Sequence, residues 1–455
     1  MSDICAVSTP MAEGGISVIR ISGDNAFKIA SKVFFPTNGK SVEQMNANTC
    51  AYGKIKDDGK IIDDGVVTVF HAPKSYTGEN VCEISCHGGI YVTKKVLRLC
   101  IKAGCSPAQA GEFTKRAFLN GKMSLTQAEA VMDTISAQGE YALESASLVK
   151  EGALYRKISE VSQKLVKILG ELAAWVDYPE EDLPEVEENN LRQSLENSIE
   201  VMDRILWDYD GGMILKNGIE TCIAGKPNVG KSTLMNSLLG YERSIVTDIA
   251  GTTRDVIEET AKVGEYLLKI SDTAGIRETS DKVEKIGVEI AKKKLRGARL
   301  IMEVFDSSRP LDDEDTELLE FVKSLDKKTI IILNKSDLEK QICEENLKNY
   351  SENVIVISAR NNQGREEIEK CIEKLFPVGT FDPDSTVFAN ERQKCCVEKA
   401  RKNLALALES LNMGETLDAV TVMIDYAAQS LLELTGEKVT ESVVDEVFSK
   451  FCVGK

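Results

Sequence analysis

Apolar residues change their spacing along the chain, and each change marks a different kind of structure. Residues 1 to about 118 carry short alternating runs, such as Ile16-Ser17-Val18-Ile19-Arg20-Ile21 and Gly65-Val66-Val67-Thr68-Val69-Phe70, separated by glycine turns. Alternation of period two between turn residues predicts strands. With a helical stretch near 92–100 this makes a small α+β domain. From 126 to 172 apolar residues recur every three or four positions without a proline, which predicts long amphipathic helices. Pro179 and Pro184 break this run, and a second helical stretch from about 191 to 207 ends near Gly211-Gly212.

Strands and helices then alternate from about 218 to 376. Buried-strand candidates are 219–224, 266–270, 300–305, 329–333 and 353–357. Helical stretches between them predict a doubly wound, mostly parallel sheet. From about 390 the pattern is helical again, with a short tail Phe451-Cys452-Val453-Gly454-Lys455. Helical segments on both sides of an α/β region predict one helical domain that carries the other as an insertion. The expected fold is therefore multidomain, α/β and α+β. Its parts are an N-terminal domain over 1–118, a discontinuous helical domain over 119–216 and 381–455, and an inserted domain over 217–380.

Composition narrows the setting. A chain of 455 residues exceeds one hydrophobic core. No run of about 18 apolar residues could span a bilayer. The start, Met1-Ser2-Asp3-Ile4-Cys5, lacks a basic and apolar leader, so a cytoplasmic chain without membrane contact is expected. Its twelve cysteines are then read as thiols. Cys82 and Cys86 with His87 offer partial metal ligation, but no second cluster completes a tetrahedral set and the segment alternates like a strand. The net charge of −17 argues against broad electrostatic capture of nucleic acid and confines any such contact to a local patch.

The strongest chemical signal is Gly225-Lys226-Pro227-Asn228-Val229-Gly230-Lys231-Ser232, followed by Thr233, which fits the phosphate-loop pattern. Glycines let successive backbone N–H groups point at phosphate oxygens. A strand before the loop and a helix after it add the positive end of a helix dipole. Lys231 would reach the β- and γ-phosphates, and the Ser232 hydroxyl would ligate Mg²⁺. Asp272-Thr273-Ala274-Gly275 follows a strand, where the aspartate can hold a Mg²⁺-bound water and the Gly275 N–H can sense the γ-phosphate. In Asn334-Lys335-Ser336-Asp337, the Asp337 carboxylate can accept from both the N1–H and the exocyclic amine of guanine. Adenine presents neither pattern. Ser358-Ala359-Arg360 is similar to the loop that closes over the base. Four such motifs in this order point to GTP hydrolysis.

The catalytic group is less plain. Ras-like enzymes orient the attacking water with a glutamine directly after the Asp-x-x-Gly motif. Ile276 stands there instead, and an aliphatic side chain cannot position water. Arg277, Glu278, Asp281 and Glu284 are the nearby candidates, and spacing does not choose among them.

Further segments carry a resemblance. Gly251-Thr252-Thr253-Arg254-Asp255, the terminal Phe451-Cys452-Val453-Gly454-Lys455, Ile19-Arg20-Ile21-Ser22-Gly23, Tyr76-Thr77-Gly78-Glu79, His87-Gly88-Gly89 and the run from Gly111-Glu112-Phe113-Thr114-Lys115-Arg116 through Gly121-Lys122 together resemble the MnmE (TrmE) family of tRNA-modification GTPases. The resemblance spans essentially the whole chain.

It implies a folate-binding N-terminal domain that forms a homodimer, a split helical domain and an inserted Ras-like P-loop GTPase domain. It further implies a hetero-oligomeric FAD-dependent partner of the MnmG (GidA) type. With that partner, such proteins add a carboxymethylaminomethyl-type group to C5 of the wobble uridine of certain tRNAs. The one-carbon unit comes from 5,10-methylene- or 5-formyl-tetrahydrofolate. Hydrolysis in this family is potassium-activated, the cation supplying the charge that an arginine supplies elsewhere. By motif, Asn228, Thr247, Ile249 and Thr252 would hold K⁺, Ser232 and Thr253 would hold Mg²⁺, and Asp248, Ala250 and Gly251 would join the nucleotide contacts. The water-organising acid would be Glu284. Arg20, Glu83, Lys122 and Lys455 would contact the folate, and Cys452 would lie near it as a candidate for chemistry. The ending does not fit a prenylation signal. Pro107-Ala108-Gln109-Ala110-Gly111 departs from the family's usual approach to Glu112. The competing reading is a regulatory GTPase switch of the ribosome-assembly type, which has no use for the folate-like N-terminal segment.

Overall fold

The computed structural model describes residues 2–137, 140–177, 188–240, 259–264, 266–272, 291–376 and 390–454. Backbone contacts divide the chain into two compact units. The first holds Met1–Ile135, Ser147–Met202 and Glu391–Lys455, and the second holds Ser136–Ala146 and Asp203–Asn390.

The first unit begins with seven strands: β1 (Ile4–Val7), β2 (Ile16–Ser22), β3 (Phe34–Pro36), β4 (Thr49–Asp57), β5 (Lys60–Phe70), β6 (Val81–His87) and β7 (Ser106–Pro107). They form one sheet in the order β3-β4-β5-β6-β2-β1-β7. All neighbours are antiparallel except β1 and β7. Helices α1 (Ala26–Val33) and α2 (Ile90–Ala103) pack on one face. Ile19, Ile21, Val67, Val69, Cys82 and Ile84 fill the core beneath them. Side chains alternate across a strand, so Arg20 and Glu83 lie on the opposite face. The same alternation turns Cys82 and Cys86 into the core and leaves His87 exposed, so these three do not converge as metal ligands.

Helices Leu125–Ser136, Ala153–Asp177, Glu391–Asn412, Leu417–Thr435 and Glu441–Ser449 follow the helical periodicity of the sequence. Leu125, Ala128, Val444, Val447, Phe448 and Phe451 form a separate apolar cluster. Glu129 is buried here, with both carboxylate oxygens on the guanidinium of Arg392 at 2.8 and 2.9 Å. No helix among the described residues is long and apolar enough to cross a membrane.

The second unit is built on β8 (Ile219–Ala224), β9 (Glu259–Val263), β10 (Tyr266–Asp272), β11 (Leu300–Asp306), β12 (Lys328–Asn334) and β13 (Val354–Val356). The order is β13-β12-β11-β8-β10-β9, parallel throughout except for the β9–β10 pair. Strand β9 is the one absent from the sequence reading; it is an edge strand returning through Gly264 at φ +58°. Helix Glu188–Asn217 also runs past the expected stop at Gly211-Gly212. Two interior glycines cost roughly 1 kcal/mol each against alanine, and Ile214 packing on the sheet core beyond them offsets that cost.

Candidate functional site

Strand β8 is central, with β10 on one side and β11 on the other. In open α/β sheets the crevice at the carboxyl end of such a switch point is where ligands bind. The chain leaves β8 into the loop Gly225–Gly230 and enters helix Lys231–Leu239, as the strand–loop–helix pattern predicts. Asn228 and Gly230 take positive φ, +65° and +100°. A Cβ on Gly230 would collide with the Asn334 side-chain amide, so close approach as well as conformation requires glycine.

Lys231 is buried to 7% exposure, and its ammonium donates to the carbonyls of Gly225 at 2.6 Å and Lys226 at 2.7 Å. Those contacts hold its charge over the loop. Lys226 turns the other way and pairs with Asp312 and with Glu314, the latter at 2.8 Å.

A cleft of 710 Å³ opens above the loop. Asn228, Gly230, Lys231, Ser232 and Thr233 line one side, while Asn334, Lys335, Asp337 and Arg360 line the other. Asn334 joins the two sides. Its Nδ2 donates to the Val229 carbonyl at 2.9 Å, and its Oδ1 accepts from the Ala359 N–H at 3.0 Å. Ser358 donates its hydroxyl to Asp337 Oδ1 at 2.6 Å. That bond holds the Asp337 carboxyl below its ordinary value, so it is an ionised acceptor at neutral pH. Three separated sequence segments thus meet at one crevice. Asp272 ends β10, but its side chain lies outside the described residues. So do Thr247, Asp248, Ile249, Ala250, Gly251, Thr252, Thr253, Thr273, Ala274, Gly275 and Glu284.

The first unit holds a second constellation. Arg20 and Glu83 stand directly opposite on β2 and β6, and the guanidinium meets Glu83 Oε1 at 2.8 Å. The same guanidinium lies over the rings of Tyr76 at 5.4 Å and Phe113 at 5.6 Å. The C-terminal tail comes to this place. Gly111 N–H donates to the Cys452 carbonyl at 3.3 Å, Val453 bridges Ala110, and the Gly454 carbonyl accepts from Ser8 Oγ at 3.2 Å and Arg20 at 3.4 Å. The departure at Pro107–Gly111 is therefore where the tail docks. Gly454 takes φ +99°, and a Cβ there would strike the Val7 carbonyl. Cys452 is exposed, and Lys455 lies outside the described residues.

Lys122 is near but turned differently, donating to the Pro73 carbonyl at 3.0 Å. The quoted segments around it interlock: Tyr76 with Thr114 at 2.8 Å, Asn120 with the Thr77 carbonyl at 2.8 Å, and Glu79 with buried Arg116 at 3.1 Å. Sequence reasoning missed Glu79 and Arg116 as the members that brace this constellation, although both sit inside the motifs it singled out.

Comparison with known proteins places the whole chain beside one set of relatives. A family model described as the GTP-binding protein TrmE N-terminus matches residues 3–122, and one described as the MnmE helical domain matches residues 125–452. A curated Clostridioides difficile protein named tRNA modification GTPase MnmE is 45% identical over 99% of both chains. Proteins of the same name from Carboxydothermus hydrogenoformans and Lactobacillus acidophilus are each 43% identical, over 99% of this chain and 99% and 98% of their own. A crystal structure of Aquifex aeolicus Era bound to GDP.AlF4- aligns with 41% of this chain and 67% of its own, at 31% identity and a TM-score of 0.28. Near-complete coverage at this identity, together with two adjacent family models of the same protein, leads to one conclusion: the chain belongs to the MnmE family.

Proposed function

We propose that this chain is a tRNA-modifying GTPase, activated by potassium, that works with an FAD-dependent partner of the MnmG type. The three relatives are named tRNA modification GTPases. The observation that carries the reading within the molecule is Asn334, which ties the phosphate loop to the Ser358–Ala359 loop beside Asp337. A nucleotide whose phosphates lie on Gly225–Ser232 would present its base to an ionised carboxylate, the partner that guanine's two donors need. The proposed compartment is the cytoplasm.

Division of labour follows. Lys231 and the loop N–H groups bind and orient the phosphates, and Ser232, with its hydroxyl in the first turn of the helix, suits a hard divalent cation such as Mg²⁺. Thr253 is proposed as its second protein ligand. Potassium, when bound, supplies positive charge beside the transferring phosphoryl group. Asn228 is the described member of the set proposed to hold it; Thr247, Ile249 and Thr252 complete it by resemblance. Glu284 is proposed to order the attacking water.

The Arg20–Glu83 pair, with the rings of Tyr76 and Phe113 and the tail carbonyl of Gly454, offers donors, acceptors and flat surfaces suited to a pterin. Lys122 and Lys455 are proposed to extend that site. Tetrahydrofolate, when bound, supplies the one-carbon unit for wobble-uridine modification. The proposed boundaries are 1–118 for the folate and homodimer domain, 119–216 with 381–455 for the helical domain, and 217–380 for the GTPase domain.

The test is GTP hydrolysis by the full chain in potassium against sodium at equal ionic strength, with tRNA nucleoside analysis after addition of the FAD-dependent partner. Faster turnover in potassium and a new C5-modified uridine are expected. Equal, negligible turnover in both salts would sink the catalytic part, and unmodified uridine the tRNA part.

A further inference from the structure

Asp306, the last residue of β11, lies beside Asn334, the last residue of β12, and the two are partners in the parallel register. Its carboxylate is held on both oxygens. Oδ1 accepts from the Ser308 N–H at 3.0 Å and the Ser308 hydroxyl at 2.6 Å, and Oδ2 accepts from the ammonium of Lys335 at 2.5 Å. The Asp306 side chain is 13% exposed and that of Lys335 33% exposed. Burial pushes the Asp306 carboxyl up, but its bonds to Lys335 and Ser308 outweigh that and hold it below the ordinary carboxylate value.

Lys335 is fixed at its other end as well. Its backbone takes φ +66°, a conformation uncommon for a side-chain-bearing residue. The flanking backbone is pinned where Ser336 N–H donates to the Ile357 carbonyl and Leu338 N–H to the Lys335 carbonyl, each at 3.0 Å. With both ends anchored, Lys335 lines the cleft together with Asn334 and Asp337. A lysine stem with its charge tied off is an apolar surface, and a purine ring is a flat apolar ligand.

We infer that Asp306 is a positioning residue for nucleotide binding, which holds the Lys335 stem flat as a wall for the purine ring. The inference rests on the guanine-nucleotide reading of this cleft. Without Asp306 the ammonium is free, the stem samples other rotamers, and the wall must be ordered anew each time nucleotide binds. The cost appears as faster release, because mutational changes at one interface act mainly on dissociation.

The experiment is displacement of a fluorescent GDP analogue from the full chain, comparing wild type, D306A, K335A and the double variant. Dissociation about tenfold faster is expected in each single variant, with no further gain in the double variant. D306N keeps the bonds to Ser308 and loses the charge that holds Lys335. It is expected to release several-fold faster even where D306A proves unstable, and to add nothing in the K335A background. A purely structural role would lower the melting temperature and leave release unchanged. Wild-type release in D306N, or effects of D306N and K335A that multiply in the double variant, would overturn the positioning role. A wild-type chain that does not retain GDP would overturn the nucleotide reading itself, and this role with it.

Discussion

Asn334 donates its side-chain amide to the carbonyl of Val229 at 2.9 Å, across 105 residues of sequence. Its other amide atom accepts from Ala359, so one buried side chain sets the spacing of phosphate loop and base loop. Replacing Asn334 with alanine leaves a buried carbonyl and a buried N–H without partners, at roughly 1–3 kcal/mol each. Guanine-nucleotide affinity measured by titration calorimetry should fall at least tenfold. Unchanged affinity would mean that the two loops hold their spacing without it.

Glu303 sits on β11 at 1% exposure, and its Oε1 has no hydrogen-bond partner among the described residues. Burial pushes its carboxyl up to about 8, from an ordinary 4.5. The folded pKa is raised, so the favourable contribution is complete below about 4.5 and is lost as pH rises to about 8. Each unit of separation is worth about 1.4 kcal/mol, giving a penalty of several kcal/mol near pH 8. Glu303→Met should therefore raise the thermal unfolding midpoint of the full chain at pH 8 and lose most of that gain at pH 5. An equal shift at both pH values would contradict this assignment.

Arg392 is bidentate to Glu129 and also donates to the carbonyls of Glu433 and Leu434 at 3.3 and 3.1 Å. It stands one residue past Glu391, where the chain re-enters the first unit. Glu129→Ala leaves a part-buried cation without its counter-charge, which costs up to about 3–5 kcal/mol. Urea unfolding followed by circular dichroism reads that loss directly; a change under about 1 kcal/mol would show that the pair is dispensable.

Arg20 and Glu83 predict a ligand effect rather than a large stability effect. The pair is part-buried on the face of the sheet away from α1 and α2, with 15% and 25% of the side chains exposed. Glu83→Gln and Arg20→Ala should each weaken tetrahydrofolate binding by the full chain about tenfold or more. Their melting temperatures should stay within a few degrees of wild type. Wild-type folate affinity in both variants would remove this pair from the proposed site.

Much of the nucleotide cleft was legible because phosphate and base recognition impose local patterns. The glycines of Gly225–Ser232 and the spacing of Asn334 and Asp337 are readable without knowing the fold. Register is not: Arg20 meets Glu83 from 63 positions away, because β2 lies beside β6. Asp306 was invisible for the same reason, since nothing local marks a strand-end aspartate as the partner of a lysine on the next strand. The edge strand Glu259–Val263 escaped because it is five residues long and opens on Glu-Thr, which leaves Ala261 and Val263 as its apolar positions. Helix Glu188–Asn217 ran through its glycines because burial of Ile214 on the sheet, a long-range term, outweighs propensity.

Asp337, oriented by Ser358, is proposed to select guanine at the cleft formed by Gly225–Ser232 and Asn334–Asp337. The most direct test is equilibrium binding of GDP and xanthosine diphosphate to the full chain, wild type and Asp337→Asn. Xanthine carries a carbonyl where guanine carries the amine, and asparagine offers a donor where aspartate offers only acceptors. Wild type should prefer GDP by about a hundredfold or more, and Asp337→Asn should reverse that order. A wild-type chain that binds the two alike, or a variant that keeps the preference for GDP, would remove Asp337 from guanine selection.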